Sequence, residues 1–210
     1  MKKVVLLLLP FLLCCCKPSA EDVPKNNPSE ILQEGDIIFQ ESTSAQSKAI
    51  QLATHSRYSH CGIIFKTADE TYVFEAVQPV RSTPLKEWIK RGKDSHYVVK
   101  RLKDADGILT KRNLHKLKVY AGVYNGRDYD IYFGWGNKQM YCSELVWKTY
   151  SKSIGVEIGK LQTLKDFDLT SPAVKQKLTE RYGNKVPYDE KVISPVAIFE
   201  SELLETVISN

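Results

Sequence analysis

Cysteine is scarce in the body of this chain. Five cysteines occur in 210 residues, but Cys14, Cys15 and Cys16 are adjacent near the N-terminus, leaving only Cys61 and Cys142 elsewhere. Neighbouring cysteines pair poorly, and two cysteines do not make a disulfide scaffold. Charge of one sign is also lacking. The formal net charge is +5, and removal of a leader carrying Lys2 and Lys3 leaves 28 basic against 25 acidic residues, a charge of +3. No dense basic patch with interleaved aromatics appears, so nucleic acid is not an expected partner. There is no internal repeat and no low-complexity block. His and Cys residues are not spaced as metal ligands, and Asp128 and Asp130 read as parts of a polar-aromatic loop. Neither a metal nor a cofactor is expected.

The longest apolar run, Val4 to Leu13, is interrupted by Pro10 and is too short for a permanent membrane span. Behind the basic head Lys2-Lys3 it suits a signal-peptide core. The run ends in cysteines rather than an Ala-x-Ala site, and so resembles a bacterial lipoprotein signal in which a cysteine is lipidated. Cys16 fits best, with Cys14 and Cys15 as the small residues before it, and Cys15 fits nearly as well. Residues 1–16 are therefore expected to be a signal peptide. Residues 17–30, with Pro18, Pro24 and Pro28 among charged and Asn residues, read as a flexible tether. Residues 31–210 have the length of one domain. The expected location is a bacterial cell envelope, lipid-anchored to a membrane.

Within that domain Leu32 to Gln40 reads as a turn into a buried strand, and Ser42 to Ala53 as a helix capped by Ser44 or Ser42. Two strands follow, Ser56–Phe65 and Tyr72–Ala76, joined by a hairpin loop. Further on, a short helix over Pro84–Lys90, a strand over His96–Leu102 and a helix over Thr110–Tyr124 are expected. Ser171 to Tyr182 reads as a helix opened by Pro172. Val192–Ile198 reads as a late strand, and Glu200–Ile208 as a weak amphipathic end with no motif.

The stretch Gly134 to Trp147 organises the chemistry. A glycine-broken loop runs into Cys142, from which Leu145, Val146, Thr149 and Tyr150 recur on one helical side. Cys142 then lies in the first turn of a core-facing helix, where free N–H groups and the helix dipole favour a thiolate. In the hairpin, pairing Phe65 with Tyr72 sets Gly62 opposite Glu75. Because side chains alternate, His60 and Glu75 share a face as diagonal neighbours. A one-residue slip would separate them. Cys142, His60 and Glu75 together offer a nucleophile, a base and an orienter. This role predicts that Cys61 and Cys142 do not pair and that Cys61 points away. A metal module of His60 and Cys61 is disfavoured, since adjacent strand residues face opposite ways.

Four segments in this order, Gly35-Asp36-Ile37-Ile38-Phe39-Gln40, Tyr58-Ser59-His60-Cys61-Gly62-Ile63, Phe74-Glu75-Ala76 and Tyr141-Cys142-Ser143-Glu144-Leu145-Val146, resemble the circularly permuted NlpC/P60 papain-like hydrolases of the YiiX/YaeF-like branch. Thr83-Pro84-Leu85 before Trp88 matches the same family. In unpermuted relatives the cysteine precedes the histidine; here His60 comes first. The resemblance implies an α+β fold with a small antiparallel sheet or half-barrel packed on the helix bearing the nucleophile. It implies Cys142 as nucleophile, His60 as general base and later acid, and Glu75 as the residue orienting His60. The backbone N–H of Cys142 would supply one oxyanion donor, with Tyr58 or Tyr141 supplying another or lining the pocket.

The expected activity is cleavage of an amide or ester through a thioester. The substrate would be a cell-wall peptide or an N-acyl or lipid amide. The alternatives are a lipid acyltransferase on the same fold and a non-catalytic binding lipoprotein.

Overall fold

The computed structural model describes residues 31–210. The expected leader 1–16, the expected tether 17–30 and the lipidation candidate Cys16 lie outside the described residues. In chain order the first elements are β1 (Ile37–Ser42), α1 (Ala45–Thr54), β2 (His60–Lys66), β3 (Thr71–Glu75), β4 (Arg81–Pro84), α2 (Leu85–Arg91) and β5 (Gly92–Leu102). Next come α3 (Ala105–Ile108), α4 (Lys111–Gly122) and α5 (Cys142–Ile154). The remainder holds β6 (Gln162–Thr163), α6 (Pro172–Tyr182), β7 (Lys191–Val192), α7 (Pro195–Phe199) and β8 (Leu204–Ser209).

The architecture is α+β. Six strands form an antiparallel sheet in the order β4-β3-β2-β1-β5-β8. Alternation along the strands divides the apolar residues between the two faces. Ile37, Phe39, Cys61, Ile63 and Phe65 meet Leu117 of α4 and Leu145, Val146 and Tyr150 of α5. Ile38, Ile64, Val73 and Val99 meet Leu85 and Trp88 of α2 on the opposite face. The sheet is thus covered on both sides, with α5 wholly buried from Cys142 to Tyr150.

Caps fall where small hydroxyl side chains precede the helical runs. Ser44, Thr110 and Ser171 accept from Ser47, Asn113 and Val174 backbone N–H groups at the starts of α1, α4 and α6. The Gly35-Asp36 pair serves the fold. Gly35 takes φ +86°, and its carbonyl accepts the Tyr150 hydroxyl of α5. Asp36 accepts both Nε and Nη2 of Arg101, at 2.7 and 2.8 Å. These contacts tie β1 to α5 and to β5.

Two expectations for the C-terminal part are corrected. Only Lys191–Val192 is strand, because Ser194 caps a helix that Pro195 opens. The segment read as an amphipathic end is instead β8, an edge strand paired with β5. Its Leu204-Glu205-Thr206-Val207-Ile208 pattern is short, and only the exposed edge of β5 decides its conformation.

The hairpin register is Ile63↔Phe74, Ile64↔Val73 and Phe65↔Tyr72, the pairing from which Glu75 and His60 share a face. Gly62 permits it: a Cβ there would lie 2.4 Å from Val73 Cγ1 and 2.9 Å from the Phe74 carbonyl oxygen. Gly62→Ala is expected to cost about 1–3 kcal/mol through overpacking, measured by urea unfolding. An unchanged midpoint would show that β2 and β3 can separate without cost.

Candidate active site

Glu75 is fully buried at the end of β3, and both of its oxygens are filled. Oε2 accepts from His60 Nε2 at 2.6 Å and from Trp88 Nε1 at 2.9 Å. Oε1 accepts from Thr83 Oγ1 at 2.6 Å and from an Arg91 guanidinium nitrogen. Four donors use the lone-pair capacity of a carboxylate. Burial alone would raise its pKa. The hydrogen bonds and charge of His60, followed by Thr83 and Arg91, outweigh that and hold it at about 2. An ionised Glu75 only accepts, so His60 Nε2 carries the hydrogen. The nitrogen left for chemistry at sulfur is Nδ1. The ring also stacks on Trp88, with centroids 6.0 Å apart.

Cys142 opens α5. Burial would push the His60 pKa down, but hydrogen bonding to Cys142 and Glu75 raises it from 6.5 to about 10. The Cys142 thiol is moved well below its ordinary value. A hydrogen bond from the Cys61 thiol lowers it, burial opposes, and the hydrogen bond and charge of His60 lower it further. The two shifts describe one thiolate–imidazolium pair, and their directions agree. Cys142 and Cys61 are both unpaired cysteines.

The expectation that Cys61 points away is corrected. It does lie on the sheet face opposite His60, as alternation requires, but that face is the one α5 covers. Its thiol therefore meets Cys142. Burial first, and then the neighbouring Cys142 sulfur, raise the Cys61 pKa, keeping it a protonated donor. His60 acts on the same sulfur from the first residue of β2, beyond the last β2–β3 pair.

The first turn of α5 is held from two sides. Glu144 Oε2 accepts the Tyr141 backbone N–H at 3.4 Å. Its Oε1 lies 2.7 Å from Lys148 Nζ, which also donates to the Gly136 carbonyl and to Asn137 Oδ1. This fastens the preceding loop to the helix. From the C-terminal segment, the Ile193 N–H donates to Tyr141 Oη at 3.1 Å, and the Ile193 carbonyl accepts from Ser143 Oγ at 2.7 Å.

Cys142 lines an apolar cleft of about 760 Å³, counting the part open to solvent, between α1 and α6. Tyr141 lines it as well. Tyr58 does not: its ring stacks on Phe199 with centroids 4.2 Å apart. His60 lines a second, more polar groove with Ser42, Ser59, Gln78 and Arg91. Gln46, Ile50 and Tyr129 border both spaces. Tyr129 Oη accepts from Gln46 Nε2 at 2.9 Å. Burial and the charge of Cys142 push its pKa well up, so the hydroxyl keeps its proton. Tyr129 belongs to the polar-aromatic loop of Asp128 and Asp130. Arg91 carried no signal, because its partner Glu75 is brought to it only by folding.

The match to a family model, that of the permuted papain-like amidase enzymes of the YaeF/YiiX C92 family, covers residues 31–208. The chain belongs to this family. It is 50% identical over 175 residues to the uncharacterized protein YiiX of Escherichia coli strain K12, covering 83% of this chain and 85% of that protein. A crystal structure described as the metalloprotein YiiX of Escherichia coli O157:H7 superposes with a TM-score of 0.81 at 49% identity. The superposition covers 85% of this chain and 97% of that one. The fold is therefore the permuted papain-like fold.

Glu75→Gln is expected to destabilise the protein by about 3–5 kcal/mol, since it leaves buried donors poorly matched. In the unaltered protein the Glu75 contribution is complete above its ordinary pKa of 4.5 and is lost as pH falls toward about 2. The His60 contribution is complete below 6.5 and is lost as pH rises through about 10. Urea unfolding over a pH series checks this, and an acid limb unchanged in Glu75→Gln would refute the assignment.

Proposed function

We propose that this protein is a cysteine hydrolase that cleaves an amide or ester through a thioester on Cys142. The observation that carries this reading is the buried His60–Glu75 hydrogen bond, with His60 electrostatically coupled to a Cys142 that opens a helix. The thiolate attacks the substrate carbonyl carbon, and the negative charge passes to the carbonyl oxygen. The backbone N–H of Cys142 is one donor to that oxygen, and the Tyr129 hydroxyl, with its proton uncommitted among the described residues, is a second. His60 then gives its Nδ1 proton to the departing nitrogen or oxygen as the carbonyl–heteroatom bond breaks. Water enters, His60 takes its proton, and the thioester is hydrolysed to an acid and the free thiolate. Glu75 holds the ring orientation throughout and stabilises its charged form.

The signal-like leader and Cys16 support export and a lipid anchor in the cell envelope, with the active domain facing substrates near a membrane. Among the described residues no helix is long and apolar enough to cross a membrane. The relative described as a metalloprotein raises the question of a metal here. Among the described residues no group of three or more His, Cys, Asp or Glu side chains is arranged to hold one, so no step is routed through a metal.

Iodoacetamide labelling of the full chain across pH tests the nucleophile. Cys142 is expected to react well below the free-thiol pKa of about 8.5, with Cys61 unreactive. His60→Ala should remove this reactivity and lower turnover of amide or ester substrates by about 10²–10⁴-fold. Equal, slow labelling of both thiols would leave a binding protein in place of an enzyme.

A further inference from the structure

The proposed reaction uses one sulfur, yet the structure brings two to the same point. Cys61 and Cys142 are both unpaired cysteines and both buried, at 0% and 2% exposure. They share one apolar cluster, because α5 packs on the face of β2 that carries Cys61. The Cys142 sulfur accepts hydrogen bonds from the Cys61 thiol and from the Cys61 backbone N–H, which places it against both the side chain and the main chain of Cys61. The two thiols are not equivalent. Cys142 stands at the start of a helix and lines the solvent-connected cleft. Cys61 lines neither that cleft nor the groove beside His60. An activated thiolate with a second thiol in contact is the arrangement in which a sulfenic acid is captured before it oxidises further.

We propose that Cys142 and Cys61 form a reversible oxidation site: hydrogen peroxide oxidises Cys142, and Cys61 closes a disulfide with it. This rests on the Cys142 thiolate of the cysteine hydrolase reading. The thiolate attacks one peroxide oxygen, the O–O bond breaks, and the departing hydroxide takes the His60 proton and leaves as water. Cys142 is then a sulfenic acid, and its negative charge is gone. The Cys61 sulfur attacks the Cys142 sulfur, the S–O bond breaks, and the hydroxyl leaves with the Cys61 proton as a second water. Peroxide is thus reduced to water while the two cysteines are oxidised to a disulfide. An external dithiol reverses the step by exchange. The disulfide removes the nucleophile, so hydrolysis stops while it lasts. It also prevents the sulfinic acid, which dithiols do not reduce. Serine or alanine in place of Cys61 would fill similar space among the apolar neighbours without this chemistry.

The test treats the reduced full chain with hydrogen peroxide and follows it by non-reducing peptide mapping, which separates this pair from Cys14, Cys15 and Cys16. The expected product is a linked Cys61–Cys142 peptide pair. Iodoacetamide labelling of Cys142 should fall about tenfold or more and return in full after dithiothreitol. In Cys61→Ser, Cys142 should instead be driven to sulfinic or sulfonic acid, and labelling after dithiothreitol should recover about tenfold less. If that variant fails to fold, the mapping of the unaltered protein still decides. Three results overturn the oxidation site and leave the nucleophile standing: Cys142 unoxidised but open to iodoacetamide, stopped at sulfenic or sulfinic acid, or linked to any cysteine but Cys61. A Cys142 that reacts with neither peroxide nor iodoacetamide overturns the hydrolase reading as well.

Discussion

A single buried carboxylate holds the active region together. Glu75 collects donors from β2, β4 and α2, so three elements converge on two oxygen atoms. An ionised carboxylate with no water around it is costly, and only a complete set of donors makes the burial tolerable. The requirement acts in both directions. Glu75 fixes the tautomer and plane of His60, and the need to satisfy Glu75 fixes where Trp88 and Arg91 must stand. Arg91 is part-exposed, so its charge is screened by solvent and contributes less than the fully buried partners.

The sheet then sets a geometric problem that the site solves at an edge. His60 and Cys61 are consecutive and point to opposite faces, yet both reach the Cys142 sulfur. Cys61 does so because α5 packs over its face. His60 does so because it begins β2, where the ladder to β3 has run out. The Cys142 sulfur thus receives a neutral thiol donor from one side and an imidazolium from the other. Together with the helix N-terminus, these favour the thiolate in a place where burial by itself would suppress it.

The segment after α5 has a structural task that its sequence does not advertise. Ile193 bonds Tyr141 and Ser143 in the first turn of α5, α6 forms a wall of the cleft, and β8 closes one edge of the sheet. None of this depends on a motif. Backbone groups and apolar side chains of ordinary kind do the work, which is why scanning for reactive residues passes over the region.

Much of the fold around the candidate site was legible in the chain itself. The apolar period after Cys142, the cap residue before α1, the proline that opens α6, and the parity of the hairpin are local properties. They follow from helix and strand repeats of fixed length. The order of the four motifs carried the family. Other features were not local. Tyr58 and Tyr141 were equivalent candidates in sequence; folding stacked one on Phe199 and set the other in the cleft beside the Ile193 backbone. Cys61 was expected to point away, because strand alternation says which face a residue takes but not what covers that face. Ser194 and Pro195 turned an expected strand into a helix, and β8 became strand only because β5 had a free edge. The sequence by itself determined which residue types were present, and which of them shared a helix side or a strand face, since those periods are properties of the backbone. Only the tertiary structure decided which faces met, because packing between distant elements sets the partners of Glu75, Cys61 and Tyr129.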